Sequence, residues 1–247
     1  IRQGRSVVDA GLEIVHRREI PSSGLIRVSR SPSQPIADTV QERSVETVVL
    51  GWAGPGRRRA SGTTRTSAFG AQVDDVLRST DADTVLLRGR LPSSIETIAI
   101  PVANPRQAAY AIHVAEQLGA EGARINLLHV VGRGQDAETG GLAIMEELFG
   151  RPQNEVGIGS RRQIVTMTSV MHHRVVQAIL DHSEDADLLI VGAAGETWMQ
   201  RRPFTSLHYS VAARFDRPML LVKMRSGRAR FAMHRAVDFF TSQEPAE

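Results

Sequence analysis

The chain has 247 residues, 41% of them hydrophobic and 23% charged, with no cysteine and a formal net charge of +3. That length suits one large domain or two modest ones, and the missing cysteine excludes disulfides, thiol catalysis and cysteine-bound zinc. No apolar run reaches the roughly 18 residues of a membrane span, no signal-peptide pattern is visible, and 4% aromatic residues without a basic cluster argue against nucleic acid.

In chain order, residues 6–17 predict a helix with Val7, Val8, Leu12 and Val15 on one side. Residues 25–28 predict a strand, 36–41 a short helix, 47–50 a strand, 68–78 a helix and 84–88 a strand. From there the pattern sharpens. Residues 96–102 form an apolar strand, and 106–118 an amphipathic helix ended by Gly119. Residues 125–131 are a strand, 142–149 a helix, and the stretch after it a loop broken by Pro and Gly. Then come a strand at 163–168, a helix at 174–182, a strand at 188–191, a helix at 206–214 and a last strand at 218–222. Strands alternating with helices predict an α/β fold with a doubly wound parallel sheet, five-stranded in the complete second half. The near-continuous apolar strands suit a sheet covered on both faces. The tail, 226–247, is arginine-rich and then acidic; Phe231, Ala236, Val237, Phe239 and Phe240 would give it a short docking helix.

The most telling stretch runs from Asp187 to Ser206: an apolar strand, Gly192 and Gly195, nine residues, then Thr205-Ser206 at a helix start. Glycines at such a turn let backbone approach a ligand, and the helix N-terminus offers free N–H groups to an anion. An echo lies 141 residues earlier, with Gly51 and Gly54 after an apolar strand, fifteen residues, then Gly70-Ala71. Two such turns predict a duplicated fold. The order of elements before Gly51 matches only the later part of the second half. Counterparts of residues 96–131 are missing, so the first copy is expected to be incomplete, with its remaining strands upstream of Ile1 in another part of the same protein. The predicted division is 1–92 for the end of the first copy, 93–225 for the complete second copy and 226–247 for the tail.

The turn, the alternation and the period resemble the universal stress protein family, whose nucleotide-binding members carry G-x2-G-x9-G-[ST] after the fourth strand. The spacing is intact in the second copy, but Thr205 replaces the third glycine; the first copy keeps Gly70 but has a longer loop and Ala71 for the hydroxyl residue. The resemblance implies an adenine-nucleotide alpha-hydrolase-like fold. It also implies a site for ATP or another adenine nucleotide at Pro101, Ala103, Asn104, Val131, Val191, Gly192, Ala194, Gly195, Thr205, Ser206 and Leu207, with Gly51, Gly54 and Gly70 as the first-copy equivalents. Ala103 stands where nucleotide-binding members place an aspartate. The form Pro101-Val102-Ala103-Asn104-Pro105 looks like the stress-protein domains fused behind amino-acid permeases, cation/proton antiporters and chloride-channel-type proteins. This implies a non-catalytic, regulatory cytosolic part of an inner-membrane transporter, self-associating through its last strand. The alternatives are a stand-alone ATP-binding stress protein, or a degenerate module serving only dimerisation.

Other candidates read as ordinary structure. Arg57, Arg58, Arg59, Arg201 and Arg202 could meet phosphate or another acidic surface, but read as solvated loop charges. His172, His173, His182 and His208 lack the i, i+4 spacing of helical zinc sites, so no metal is expected, and His208 is expected at the surface or in packing. Asp181, Glu184, Asp185 and Asp187 precede their strand, at the wrong end of a parallel sheet for chemistry, and read as solvated loop charges. No nucleophile elbow and no Walker lysine are present, since Lys223 lies on the last strand. An enzyme is therefore not expected.

Overall fold

The computed structural model describes residues 2–52, 71–103, 105–134, 136–193 and 207–225. In chain order these form α1 (Arg2–His16), α2 (Ser33–Glu42), β1 (Thr47–Gly51), α3 (Ala71–Ser79), β2 (Asp83–Arg88), β3 (Thr97–Val102) and α4 (Pro105–Leu118). Then follow β4 (Arg124–Val131), α5 (Ala137–Phe149), β5 (Glu155–Ile158), β6 (Gln163–Met171), α6 (Val175–His182), β7 (Leu188–Ala193), α7 (Leu207–Arg214) and β8 (Met219–Lys223). One sheet holds all eight strands in the order β1-β2-β8-β7-β3-β4-β6-β5.

Its body is five parallel strands, β8-β7-β3-β4-β6. They are apolar at successive positions because both faces are covered. Leu188 and Ile190 pack with α4 and α5, while Leu189 and Val191 pack with α6, α7 and α3. Small residues at Ala108, Ala111 and Ala115 bring α4 close to the sheet. Pro105 suits the first turn of that helix, where its missing N–H costs nothing. Gln163, buried at the start of β6, donates through Nε2 to the carbonyls of Glu116, Gly119 and Ala120, at 3.1, 3.0 and 3.2 Å, and so caps the end of α4.

β1 and β2 extend this body on one side. They pair in parallel, with Val48 opposite Thr84, as Leu189 pairs with Met219 in β7 and β8. β2 then meets β8 antiparallel, centred on Leu86 opposite Leu221. Each of these two strands ends in a basic residue that reaches a helix across the junction. Lys223 Nζ donates to the Leu77 carbonyl of α3 at 2.7 Å, and Arg88 donates to the Phe215 carbonyl just past α7. A cation at a helix C-terminus is favourably placed against the backbone dipole. Burial lowers the Lys223 pKa, and Asp81 and Asp83 oppose that shift.

The sequence-based elements appear with three corrections. Residues 25–28 are not a strand, because no strand among the described residues pairs with them. Val7 is not on the covered side of α1; it is 68% exposed, and residue 24 instead lies against Val8 and Leu12. Finally, β5 was read as loop. It forms a hairpin with β6, turning through Gly159 and Arg162, both at positive φ.

Candidate functional site

The five parallel strands change winding direction next to β3. The chain runs from β3 outward to β4 and β6, then returns to lay β7 and β8 on the other side. A crevice opens at the carboxyl ends of the strands at such a point. β3 ends there with Pro101, Val102 and Ala103, β4 with Val131, and β7 with Val191 and Gly192, while α7 opens with Leu207. These are the predicted site residues that the fold brings together. Val131 and Val191 are buried, and Ala103 is exposed.

His208, in the first turn of α7, is partly buried. Its Nε2–H donates to the Gly192 carbonyl at 3.3 Å, which fixes the tautomer because a carbonyl only accepts. This bond ties the start of α7 to the end of β7. Burial lowers the His208 pKa, partly opposed by the Gly192 carbonyl.

His129 was missed in the sequence. It sits near the end of β4, and its Nδ1–H donates to the Val102 carbonyl of β3 at 3.3 Å. The signal was present: His129 is the one polar residue in Leu127-Leu128-His129-Val130-Val131, near a strand's carboxyl end. The nearby start of α5 offers little to an anion. Asp136 caps it, accepting from the N–H groups of Glu138 and Thr139 at 3.1 and 3.3 Å and from the Thr139 hydroxyl at 2.5 Å. The Thr139 hydroxyl and N–H hold the Asp136 carboxyl below its ordinary pKa.

Asp187 needs correction. It is not a solvated loop charge, for its Oδ2 accepts from the N–H groups of Glu96 and Thr97, at 2.9 and 3.0 Å, and from the Thr97 hydroxyl at 3.1 Å. Burial pushes its pKa up, but these bonds and Arg217 outweigh it and leave the carboxyl below its ordinary value. It fastens the start of β3 to β7, so the two strands that flank the crevice are set against each other from their far ends. Asp181, Glu184 and Asp185 are exposed, as read. Three of the histidines weighed as metal ligands, His172, His182 and His208, are engaged with backbone. The Arg174 N–H donates to His172 Nδ1 at 2.9 Å, and His182 Nδ1–H donates to the Ala178 carbonyl at 2.9 Å.

Gly51 is the last residue of β1, and Gly192 is the last but one of β7. A Cβ built at Gly51 meets nothing within 4 Å among the described residues, so they impose no steric need for glycine. Asn104, Ala194, Gly195, Thr205, Ser206, Gly54 and Gly70 lie outside the described residues, as do the five loop arginines and the tail.

Residues 94–223, more than half of the chain, match the universal stress protein family. The chain belongs to that family. Its fold is that of a universal stress protein from Archaeoglobus fulgidus, with a TM-score of 0.60 and 16% identity over 91% of this chain and 77% of that one. A functionally unknown protein from Pseudomonas aeruginosa is similar in fold, with a TM-score of 0.55 and 11% identity over 94% of this chain and 82% of that one. At such identities the likeness speaks for the fold alone. No curated protein matches the chain. Universal-stress-protein membership places the crevice between β3, β4, β7 and α7 inside the matched region. Among the described residues, no helix is long and apolar enough to cross a membrane.

Proposed function

We propose that the chain is a regulatory, non-catalytic module that binds an adenine nucleotide in the crevice at the ends of β3, β4 and β7. The observation that carries this reading is the way α7 and β7 are joined. The His208–Gly192 bond holds the start of α7 against the end of β7, beside the apolar strand ends. Val131 and Val191 provide buried apolar walls, and the strand-end backbone has N–H and C=O groups for the edge of a base. The family resemblance assigns Gly192, Gly195, Thr205 and Ser206 to the phosphate. These residues fit the base end of a nucleotide. They fit the ribose less well, because Ala103 provides no carboxylate to its hydroxyls.

A sensor works through differential binding, by shifting an equilibrium between two arrangements. The described crevice pairs no nucleophile with a base, so binding rather than turnover is its expected chemistry. The matched registers of β1–β2 and β7–β8, and their antiparallel junction, support reading the first half as a partial copy of the second. The run Pro101-Val102-Ala103-Asn104-Pro105 favours a cytosolic part of a transport protein over a stand-alone stress protein.

The test is thermal unfolding with ATP, ADP, AMP and cyclic nucleotides. A ligand that binds the native state raises the Tm, and one present at about 100 times its Kd adds about 2.7 kcal/mol. A shift with an adenine nucleotide that is lost in Gly192→Val, with no ATP turnover above that variant, is the expected result. No shift at millimolar nucleotide would leave the module a structural one.

A further inference from the structure

The sheet face under the start of α5 holds two polar side chains in apolar surroundings. His129 of β4 and Ser169 of β6 are partners across the parallel ladder, so their backbones stand side by side, about 4.8 Å apart. Both side chains are half-buried, and their neighbours Val102, Leu127 and Met167 are buried. Side chains alternate between the faces of a strand, so His129 shares a face of β4 with Val131, the apolar wall of the crevice. The pair lies one step below that wall.

α5 crosses the pair with two glycines. A Cβ at Gly140 would lie 2.9 Å from His129 Nε2, and one at Gly141 would lie 2.0 Å from Ser169 Oγ. Glycine is a poor helix former, but here the missing side chains leave room for both polar tips. The chemistry of the tips is defined. The His129 Nδ1–H is committed to the Val102 carbonyl at 3.3 Å, so Nε2 carries the lone pair of the neutral ring and only accepts. Among the described residues no hydrogen bond engages Nε2 or the Ser169 hydroxyl. Nor does one join the two, so Ser169 is not activated as a nucleophile.

A half-buried acceptor among apolar groups calls for a donor. An anion does not suit the recess, because the Asp136 carboxylate already holds the N-terminus of α5. An apolar group would leave Nε2 unpaired. An amine with two N–H bonds has one for the imidazole and one for the hydroxyl.

We infer that His129 Nε2, with Ser169 Oγ beside it, takes the exocyclic amine of the purine base and so selects adenine over a base with a keto oxygen at that position. A keto oxygen would set acceptor against acceptor, which rejects the wrong base. This rests on the nucleotide reading and names the residues that give it its base preference.

The test is calorimetric titration of Mg-ATP and Mg-ITP, which share ribose and phosphates, into wild type, His129→Leu, His129→Gln and Ser169→Ala. Circular dichroism melting establishes that each variant is folded. Wild type should bind ATP about tenfold more tightly than ITP, the usual effect of losing one hydrogen bond and leaving its partner unpaired. The preference should vanish in His129→Leu, shrink in Ser169→Ala and return in part in His129→Gln, whose amide oxygen replaces the lone pair of Nε2. In the nitrogen-labelled chain the His129 Nε2 resonance should move with ATP and not with ITP. Equal binding of ATP and ITP by wild type overturns the proposal and leaves the nucleotide reading standing. So does a His129→Leu variant that weakens both nucleotides alike and keeps the preference, which would mark a structural role. Binding of neither nucleotide at millimolar concentration overturns both readings.

Discussion

Asp187 takes three hydrogen bonds from the start of β3, two of them from the backbone N–H groups of Glu96 and Thr97. Hydrogen bonds to a charged acceptor contribute more than neutral ones, so Asp187→Asn should cost about 1–2 kcal/mol in urea unfolding at pH 7. The pH dependence has a definite sign. The folded carboxyl lies below its ordinary value, so its contribution is fully present above the unfolded-state pKa, about 3.9, and is lost as pH falls through the lower folded value. The gap between wild type and Asp187→Asn should be constant from neutral pH down to the carboxylate range and close below it. A gap that persists unchanged in acid would mean that packing, not charge, is what the substitution removes. In the sequence Asp187 was one of four carboxylates before a strand, with no mark to separate it from Asp181, Glu184 and Asp185. Its role depends on β3, 90 residues away, which sequence spacing does not bring near.

Elements were legible where the chain carries its own partners. β3, β4, β6, β7 and β8 read as strands because each is apolar and each finds a neighbour. Residues 25–28 have the same apolar character and yet form no strand, because a strand is a property of a pair and no strand among the described residues pairs with them. β5 was missed for the opposite reason: four residues with a glycine inside carry almost no pattern, and the hairpin with β6 creates it. Helix α5 depends on a close approach that its sequence only hints at. A Cβ at Gly141 would lie 2.0 Å from Ser169 Oγ and 3.0 Å from Met167 Cγ in β6. The Ser169 hydroxyl can turn aside, but the branched side chain of Gly141→Val would meet Met167 as well. It should lose about 1–3 kcal/mol by overpacking, more than any gain in helix propensity, which is at most about 1 kcal/mol. Gly157→Ala, on β5, meets nothing within 4 Å and should melt within a degree or two of wild type. Equal losses at the two positions would show that backbone freedom, not space, governs both.

At the scale of the whole molecule, the sheet is a five-stranded parallel body with β5 on one edge and the pair β1–β2 on its β8 edge, stitched there by Lys223 and Arg88. The family and its crevice could be read from Gly192 and the strand order, since both are local or nearly so. The antiparallel β2–β8 junction and its register needed the fold. His129 and His208 came to the crevice from strand and helix ends that lie 79 residues apart in the chain. The account turns on whether an adenine nucleotide occupies that crevice. The most direct measurement is a titration of the isotopically labelled chain with Mg-ATP, followed by backbone amide chemical shifts. Saturable shifts at Val102, Ala103, Val131, Gly192, Leu207 and His208, with little change along β1 and β2, are predicted. Shifts confined to other parts of the chain, or none at millimolar ATP, would contradict it.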